Sequence, residues 1–294
     1  MTMKHALSVT KLKKMKQDGN PISVLTAYDY PSAKLAEEAG IDVLLVGDSL
    51  GNVVLGYDTT IPVTLDDMVY HSRAVARGAA NTFIVADLPF ATYRLGQEAT
   101  LRNAARLMQE GGVQAVKMEG GADLAEEIGT LVRSGIPVMG HIGLTPQSIN
   151  QIGSYKVHGK MPEEISRLIE DAKALEKAGV FALVLELVTD QVAAQITREL
   201  SIPTIGIGAG ASCDGQVLVY HDLLQYASPY RAKKFVKTYA DIGTTVRQAI
   251  GEFVQEVKNR SFPLEEHSFS SGQASSSVPV YGGGSAEKKE HASR

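Results

Sequence analysis

Short apolar runs that end on an ionisable side chain recur along this chain. The clearest one, at residues 41–51, reads IDVLLVGDSLG, in which the apolar residues stop at an acid, a hydroxyl and glycines. A run of this kind, without polar alternation, is typical of a strand buried on both faces of a parallel sheet. Five such runs end on Asp48, Asp87, Glu119, His141 and Glu186. Because the carboxyl ends of parallel strands meet at the same edge of their sheet, these side chains are expected to converge.

The apolar runs alternate with segments of helical pattern. Strands are predicted at about residues 22–27, 41–48, 82–87, 114–119, 136–143, 182–186, 203–210 and 217–220. Helices are predicted at about residues 8–17, 31–39, 64–77, 97–109, 124–133, 162–177, 190–199 and 233–258, the last with a break at Gly243. This alternation predicts a parallel sheet. Eight units in one domain favour a closed (β/α)8 TIM barrel, preceded by a short N-terminal helix, over an open doubly wound sheet.

Composition limits the class of protein. The chain has 294 residues, 44% of them hydrophobic, which suits one large α/β barrel. The net charge of −4 provides no basic field for nucleic acid. A single cysteine, Cys213, excludes an internal disulfide framework and fits a reducing compartment such as the cytoplasm. No signal peptide or membrane span is predicted. Residues 263–294 are rich in Ser, Gly, Glu and Lys and are predicted to form a disordered tail after a catalytic domain at residues 1–262.

Three of the converging residues are carboxylates that suit a metal ion. Asp48, Asp87 and Glu119 would repel one another, so one must be protonated or a cation must lie among them. An all-oxygen ligand set favours a hard cation, and Mg²⁺ is the leading candidate. Each acid taken alone has a commoner use, in an ion pair with Lys or Arg or at a helix cap. The three together on one barrel face favour the metal site.

Four neighbouring residues are candidates for contact with a substrate. Lys117 shares a strand face with an acid two residues later, and it suits either an anionic substrate or a salt bridge. The hydroxyl or amide of Ser49 fits a substrate carboxylate or a turn cap equally well. Glu186, behind an apolar run, is a candidate general base or a structural partner. His141 is assigned to substrate, with metal ligation and a buried core role as alternatives.

Two other features carry little functional weight. The glycine run at residues 206–210 lacks the continuation of a dinucleotide-binding fingerprint and lies late in the barrel, so we interpret it as close backbone approach at the barrel mouth. A lone cysteine without a recognisable base, such as Cys213, is usually inert. No Cys/His spacing of a zinc site is present in the sequence.

Several segments, in order, resemble the ketopantoate hydroxymethyltransferase family. They read LTAYDYPSAKLAEEAGIDVLLVGDSLGNVVLGYDTTIPVTLDDM, VADLPF, AVKMEGG, VMGHIGLTPQS, LVLELV and PTIGIGAG, and the resemblance covers about residues 5–262. It implies a barrel related to the phosphoenolpyruvate mutase and isocitrate lyase group. It also implies one-carbon transfer from 5,10-methylenetetrahydrofolate to 3-methyl-2-oxobutanoate, which gives 2-dehydropantoate in pantothenate biosynthesis. A cytoplasmic homo-oligomer, commonly a decamer, is implied as well.

The resemblance also implies roles for individual residues. The acids matching Asp48 and Asp87 bind Mg²⁺, and the acid matching Glu119 is assigned to the metal directly or through water. The residues matching Asp48, Ser49, Asp87 and Lys117 contact the keto acid. The residue matching Glu186 accepts the proton from C3 of the substrate, which leaves a Mg²⁺-stabilised enolate.

Two rival functions remain open on the sequence. One is a Mg²⁺-dependent lyase or phosphomutase that acts on a 2-oxo acid. The isocitrate-lyase type needs a catalytic cysteine in a loop after its middle strands, whereas the cysteine here is Cys213. The other is a non-catalytic barrel that binds a metabolite. Retention of both Lys117 and Glu186 beside the acids argues against it, because binding alone needs no base.

Overall fold

The structure, a computed structural model, describes residues 7–226 and 233–269. In this part of the chain, parallel strands close into a barrel in the order of the sequence. The strands are β1 (Ile22–Thr26), β2 (Val43–Val46), β3 (Phe83–Asp87), β4 (Ala115–Glu119), β5 (Val138–Gly143), β6 (Ala182–Glu186), β7 (Thr204–Ile207) and β8 (Gly215–Leu218). The predicted (β/α)8 TIM barrel is therefore confirmed.

Helices connect most of the strands. They are α1 (Val9–Gln17), α2 (Tyr30–Glu38), α3 (Leu50–Val53), α4 (Leu65–Gly78), α5 (Gln97–Gln109), α6 (Ala125–Arg133), α7 (Ile149–Ile152), α8 (Pro162–Ala178), α9 (Asp190–Glu199), α10 (Tyr220–Leu223) and α11 (Ile242–Asn259). Polar caps define several starts. The Asp29 carboxylate accepts the backbone N–H of Ser32 at the start of α2, and Thr64 with Asp67 forms a capping box on α4.

The apolar strands are buried on both faces, as their lack of alternation predicts. In β2, Val43 and Leu45 belong to the apolar cluster inside the barrel, whereas Leu44 and Val46 belong to the cluster between barrel and helices. This two-residue period follows from the alternation of side chains along a strand. Leu12 of α1 joins the inner cluster, so the short N-terminal helix covers the amino-terminal end of the barrel. The opposite end, at the carboxyl ends of the strands, is left to polar side chains.

Two elements near the carboxyl end of the barrel differ from prediction. The helix predicted from residue 233 begins only at Ile242, so the prediction is wrong for residues 233–241. There the backbone donors bond to the end of α10 instead: Tyr239 N–H donates to the Leu223 carbonyl and Ile242 N–H to that of Leu224. β8 begins and ends two residues earlier than predicted.

The chain divides into two compact units, Met1–Gly243 and Thr244–Arg294. The barrel lies in the first. The described part of the second contains most of α11 and a short turn at Glu265–His267. The division into a domain at residues 1–262 and a disordered tail stays a prediction, and residues 270–294 lie outside the described residues. None of the helices in the described ranges combines the length and apolar character that crossing a membrane requires.

Candidate active site

The residues predicted for the site lie near or just after the carboxyl ends of barrel strands. In chain order they are Asp48, Ser49, Asp87, Lys117, Glu119, His141 and Glu186. The sheet register brings them level, since Asp87 pairs with Lys117 and Glu119 pairs with His141 on the adjacent strand. In a barrel of this type the catalytic groups come from these strand ends. The predicted convergence is thus present in the structure.

Three buried carboxylates form the centre of the site. One oxygen from each of Asp48, Asp87 and Glu119 lies within 4.8 Å of the other two. Asp48 follows β2 and is oriented by its own backbone, whose N–H donates to Asp87 Oδ2 at 3.0 Å. Gly47 keeps the space beside them open, because a Cβ there would lie 2.8 Å from Ser49 Oγ and 3.7 Å from Asp87 Oδ2.

Lys117 brings a positive charge to this cluster. Its Nζ lies 3.1 Å from Asp87 Oδ1 and 3.5 Å from Glu119 Oε1, and all three side chains are buried. The same Nζ lies 3.1 Å from His141 Nδ1. On the far side of the imidazole ring, His141 Nε2 lies 3.3 Å from Glu186 Oε2. A continuous line of polar contacts therefore joins the acid cluster to Glu186.

The charges of the cluster are only partly balanced by protein groups. Burial, followed by the charges of Asp87 and Glu119, raises the pKa of Asp48 well above its ordinary value. Burial also raises the pKa of Asp87, although Lys117 opposes it. Burial acts in the same direction on Glu119, but there Lys117 and His141 outweigh it and lower the pKa to about 2. Lys117 and His141 thus keep Glu119 charged, whereas Lys117 and Gln147 do not offset the burial and the like charges that act on Asp48.

This donor set fits a divalent cation. The ligand atoms are carboxylate oxygens, which suit hard cations such as Mg²⁺. Asp87 Oδ1 is buried and accepts no hydrogen bond of good geometry, although the Lys117 ammonium is near. A buried acid whose negative charge is only partly compensated, beside a buried oxygen without a hydrogen bond, is the arrangement that an added cation would neutralise. The site can therefore hold a metal ion, as the sequence predicts.

Ser49 is held by an aromatic residue that the sequence did not single out. Its Oγ lies 2.8 Å from the hydroxyl of Tyr28, a buried residue just after β1. Ser49 precedes α3, yet its side chain makes no capping hydrogen bond there. The turn-cap alternative therefore does not apply. Contact of Ser49 with a substrate stays a prediction.

The position of Glu186 suits a group that exchanges protons with a bound molecule. It ends β6, and its side chain is 17% exposed while those of Lys117, Glu119 and His141 are 3% exposed. Burial and Lys117 act to lower the pKa of His141, but the nearby carboxylates of Glu119 and Glu186 outweigh them and raise it. His141 therefore links the two acids, and its direct contact with substrate or metal stays a prediction.

Two further residues of the site, Gln147 and Tyr93, were also missed. Gln147 lies in the turn Pro146–Ser148 after β5 and bonds to both Asp48 and Glu119. A polar amide just beyond a strand that ends on a site residue is a signal that could have identified it. Tyr93 lies in an irregular segment between Ala91 and Arg94, two residues with positive φ, where no periodic pattern exists.

Cys213 lies away from this site. It comes just before Asp214 and β8, at the amino-terminal end of the barrel, where Asp214 accepts a bond from Lys16 of α1 at 2.8 Å. Burial raises the pKa of the Cys213 thiol, which disfavours the reactive thiolate. The arrangement agrees with an inert cysteine and places no thiol among the acids.

Replacing Asp48 by asparagine is expected to stabilise the metal-free protein while weakening its response to Mg²⁺. The change removes a charge that burial disfavours, and each unit of raised pKa corresponds to about 1.4 kcal/mol. We therefore expect the free energy of unfolding in EDTA to rise by about 1 kcal/mol or more. Asparagine keeps an oxygen for the Gln147 amide. Urea unfolding with and without Mg²⁺ measures both effects, and lower stability in EDTA would contradict the charge argument.

Sequence comparison relates the chain to one group of proteins. A family model described as ketopantoate hydroxymethyltransferase matches residues 6–265. The 3-methyl-2-oxobutanoate hydroxymethyltransferase of Carboxydothermus hydrogenoformans is 56% identical over 263 residues, which span 90% of this chain and 95% of that protein. The protein of the same name from Geobacillus kaustophilus is 56% identical over 269 residues, which span 92% of this chain and 96% of that protein.

Solved structures with the same fold are more distant in sequence. A 2,3-dimethylmalate lyase, described as a PEP mutase/isocitrate lyase superfamily member, matches with a TM-score of 0.56 at 18% identity, over 89% of this chain and 88% of its own. A phosphoenolpyruvate phosphomutase from Streptomyces platensis subsp. rosaceus matches with a TM-score of 0.57 at 15% identity. The match covers 90% of this chain and 92% of that protein. At such identities the likeness establishes the fold alone.

Proposed function

This chain belongs to the ketopantoate hydroxymethyltransferase family, and we propose that it transfers a hydroxymethyl group from 5,10-methylenetetrahydrofolate to 3-methyl-2-oxobutanoate. The product is 2-dehydropantoate, a precursor in pantothenate biosynthesis. The observation that carries the proposal is the line of contacts at the barrel mouth. It joins three buried acids, through Lys117 and His141, to the more accessible Glu186. That arrangement combines a cation site with a base, which removal of a proton beside a keto group requires.

Asp48 and Asp87, with Glu119 directly or through water, are the proposed ligands of Mg²⁺. When bound, Mg²⁺ supplies Lewis-acid polarisation of the keto and carboxylate oxygens of the substrate. Lys117, already within 3.5 Å of two of these acids, adds positive charge where the substrate becomes an enolate. Ser49, on the same rim and oriented by Tyr28, contacts the substrate carboxylate.

Glu186 is the proposed proton acceptor. It takes the C3 proton of 3-methyl-2-oxobutanoate, and the electron pair of that C–H bond forms the enolate. Water adds to the methylene carbon of the folate donor and tetrahydrofolate leaves, which releases that carbon as formaldehyde. C3 of the enolate then bonds to the formaldehyde carbon, and the formaldehyde oxygen takes the proton back from Glu186 to become the hydroxyl group. His141 Nε2 lies 3.3 Å from Glu186 Oε2, beside the carboxylate. Its other ring nitrogen faces Lys117 and Glu119, so the proposed substrate contact of His141 runs through Nε2.

A transfer assay tests this function against its rivals. The purified protein is incubated with 3-methyl-2-oxobutanoate, Mg²⁺ and a tetrahydrofolate–formaldehyde mixture, and 2-dehydropantoate is quantified. Product that requires both Mg²⁺ and folate is the expected result. Phosphoenolpyruvate and 2,3-dimethylmalate serve as alternative substrates, because a phosphomutase or a lyase would consume one of them. Turnover of either in place of transfer would overturn the proposal, as would binding without any turnover.

We also propose that the chain works in the cytoplasm as a homo-oligomer, in line with the decamer implied by the family resemblance. Large apolar side chains on α11, including Ile250, Phe253 and Val257, are exposed within the single chain. Exposed apolar faces of this kind commonly mark protein–protein contacts. Size-exclusion chromatography with light scattering measures the mass in solution. A monomer at micromolar concentration would contradict this part of the proposal.

A further inference from the structure

Gln147 is a buried amide whose polar atoms are all used beside the acid cluster. Gln147 is only 5% exposed to solvent. The side-chain Nε2 donates to Asp48 Oδ2 at 2.8 Å and to the Leu88 carbonyl at 3.0 Å. Its backbone N–H donates to Glu119 Oε2 at 3.1 Å. Its Oε1 accepts the hydroxyl of Tyr93 at 2.7 Å. One residue therefore donates to two of the three acids.

The orientation of the Gln147 amide is determined by its partners. A flipped amide would place Oε1 against Asp48 Oδ2 and the Leu88 carbonyl, so that acceptors would face acceptors. It would also lose the acceptor that the Tyr93 hydroxyl needs. The observed orientation satisfies every group, because both N–H bonds of Nε2 point to oxygens. The donor is thereby held towards Asp48.

Tyr93 fixes the orientation of this amide through a hydrogen bond to its oxygen. Its hydroxyl donates to Gln147 Oε1 at 2.7 Å and lies 3.1 Å from the Glu119 carbonyl, so its one proton is shared between two acceptors. Burial, followed by the charge of Glu119, raises the pKa of Tyr93 above its ordinary value. The hydroxyl consequently remains a donor at neutral pH. Tyr93 connects the backbone of one acid to the amide that contacts the other.

The two carboxylates need a group that holds them close together, because their charges repel each other. Asp48 follows β2 and Glu119 lies in β4, so a strand separates them in the sheet, and their like charges favour separation rather than approach. Gln147 gives each carboxylate a hydrogen bond on one oxygen, Asp48 Oδ2 and Glu119 Oε2. The second oxygen of each carboxylate is left for other partners.

We propose that Gln147, oriented by Tyr93, is a positioning residue that sets the spacing of the Asp48 and Glu119 carboxylates for a divalent cation. The inference rests on the metal site of the proposed function. Hydrogen-bond partners of metal ligands typically change metal affinity by about 10–100-fold when they are removed. Gln147→Met keeps the length of the side chain and the backbone donor to Glu119, and it removes the donor to Asp48. We expect it to raise the dissociation constant for Mg²⁺ by about 10–100-fold.

The test measures metal binding directly. Titration calorimetry with Mg²⁺, supported by electron paramagnetic resonance with Mn²⁺, is carried out on the full chain and three variants. Gln147→Met is expected to bind each ion more weakly, and Tyr93→Phe to shift affinity in the same direction by a smaller factor. Gln114→Met is the matched control. Gln114 also bonds through both ends of its amide, to Ile84 N–H and the Gly112 carbonyl, but at the amino-terminal end of the barrel.

Each outcome decides one point. Weaker metal binding by Gln147→Met and Tyr93→Phe, with Gln114→Met unchanged, supports the positioning role, provided that saturating Mg²⁺ restores the transfer rate of the variants. A purely structural role would instead lower the melting temperature in EDTA and leave the dissociation constant unchanged. Dissociation constants within twofold of the unaltered protein for both variants would overturn the inference alone. Absence of metal binding by the unaltered protein would overturn it together with the proposed metal site.

Discussion

Replacement of Glu186 by glutamine is expected to slow exchange of the C3 proton of 3-methyl-2-oxobutanoate by about 10²–10⁴-fold, the usual contribution of a positioned base. Glutamine has nearly the same shape but cannot take up the proton. Because Glu186 is separated from the acid cluster by His141, affinity for Mg²⁺ should change little. Binding of the keto acid should also persist, since its proposed contacts lie on other strands. The variant is thus expected to bind both ligands and fail at the proton transfer.

The rate of exchange is followed by proton NMR in D₂O with Mg²⁺ present. Glu199→Gln is the matched control, because Glu199 is a surface acid at the end of α9 that pairs with Lys173 at 2.7 Å. It should exchange at the unaltered rate. An unaltered rate in Glu186→Gln, with binding intact, would remove Glu186 as the base and require another acceptor at the barrel mouth.

Replacement of Lys117 by methionine is expected to destabilise the metal-free protein by about 3–5 kcal/mol, the usual cost of leaving a buried charge without its partner. Burial acts to lower the pKa of Lys117, but the carboxylates of Asp87 and Glu119 outweigh it and raise the pKa. The ammonium is therefore charged at neutral pH and compensates those acids. Without it, the pKa of Glu119 loses the main influence that keeps it low.

Urea unfolding in EDTA measures the loss of stability. Added Mg²⁺ should recover part of it, because a bound cation replaces some of the missing charge. Lys173→Met serves as the control. It breaks a surface pair with Glu199, in which the side chains are 57% and 31% exposed, and such pairs contribute about 0.2–1 kcal/mol. Equal losses in the two lysine variants would contradict the view that the acid cluster depends on Lys117.

The contacts of the site were predictable where they depend on strand ends. An apolar run that stops at Asp48, Asp87 or Glu186 identifies both a buried strand and its polar end, and the parallel fold then brings the ends together. Sheet register supplies the rest, as for Glu119 and His141, which pair directly across β4 and β5. These features follow from the local pattern of apolar runs and from the rule that the carboxyl ends of parallel strands lie together.

Contacts between loops were not predictable in this way. The amide of Gln147 bonds to Asp48 across 99 positions of sequence, and no local pattern determines that pairing. Tyr93 reaches the same amide across 54 positions from an irregular segment. The prediction of a helix from residue 233 was wrong for a similar reason. Tyr239 N–H bonds to the Leu223 carbonyl, 16 positions earlier, instead of to a carbonyl one helical turn before it. Local propensity yields to such tertiary hydrogen bonds.

The measurement that tests the central claim most directly is proton NMR of 3-methyl-2-oxobutanoate in D₂O with the purified protein. It is run with and without Mg²⁺, and with and without a tetrahydrofolate–formaldehyde mixture. We expect loss of the C3 proton signal that requires Mg²⁺ but not folate, and formation of 2-dehydropantoate that requires both. Absence of exchange by folded protein with Mg²⁺ bound would contradict the claim that the acids, Lys117 and Glu186 form an enolising site.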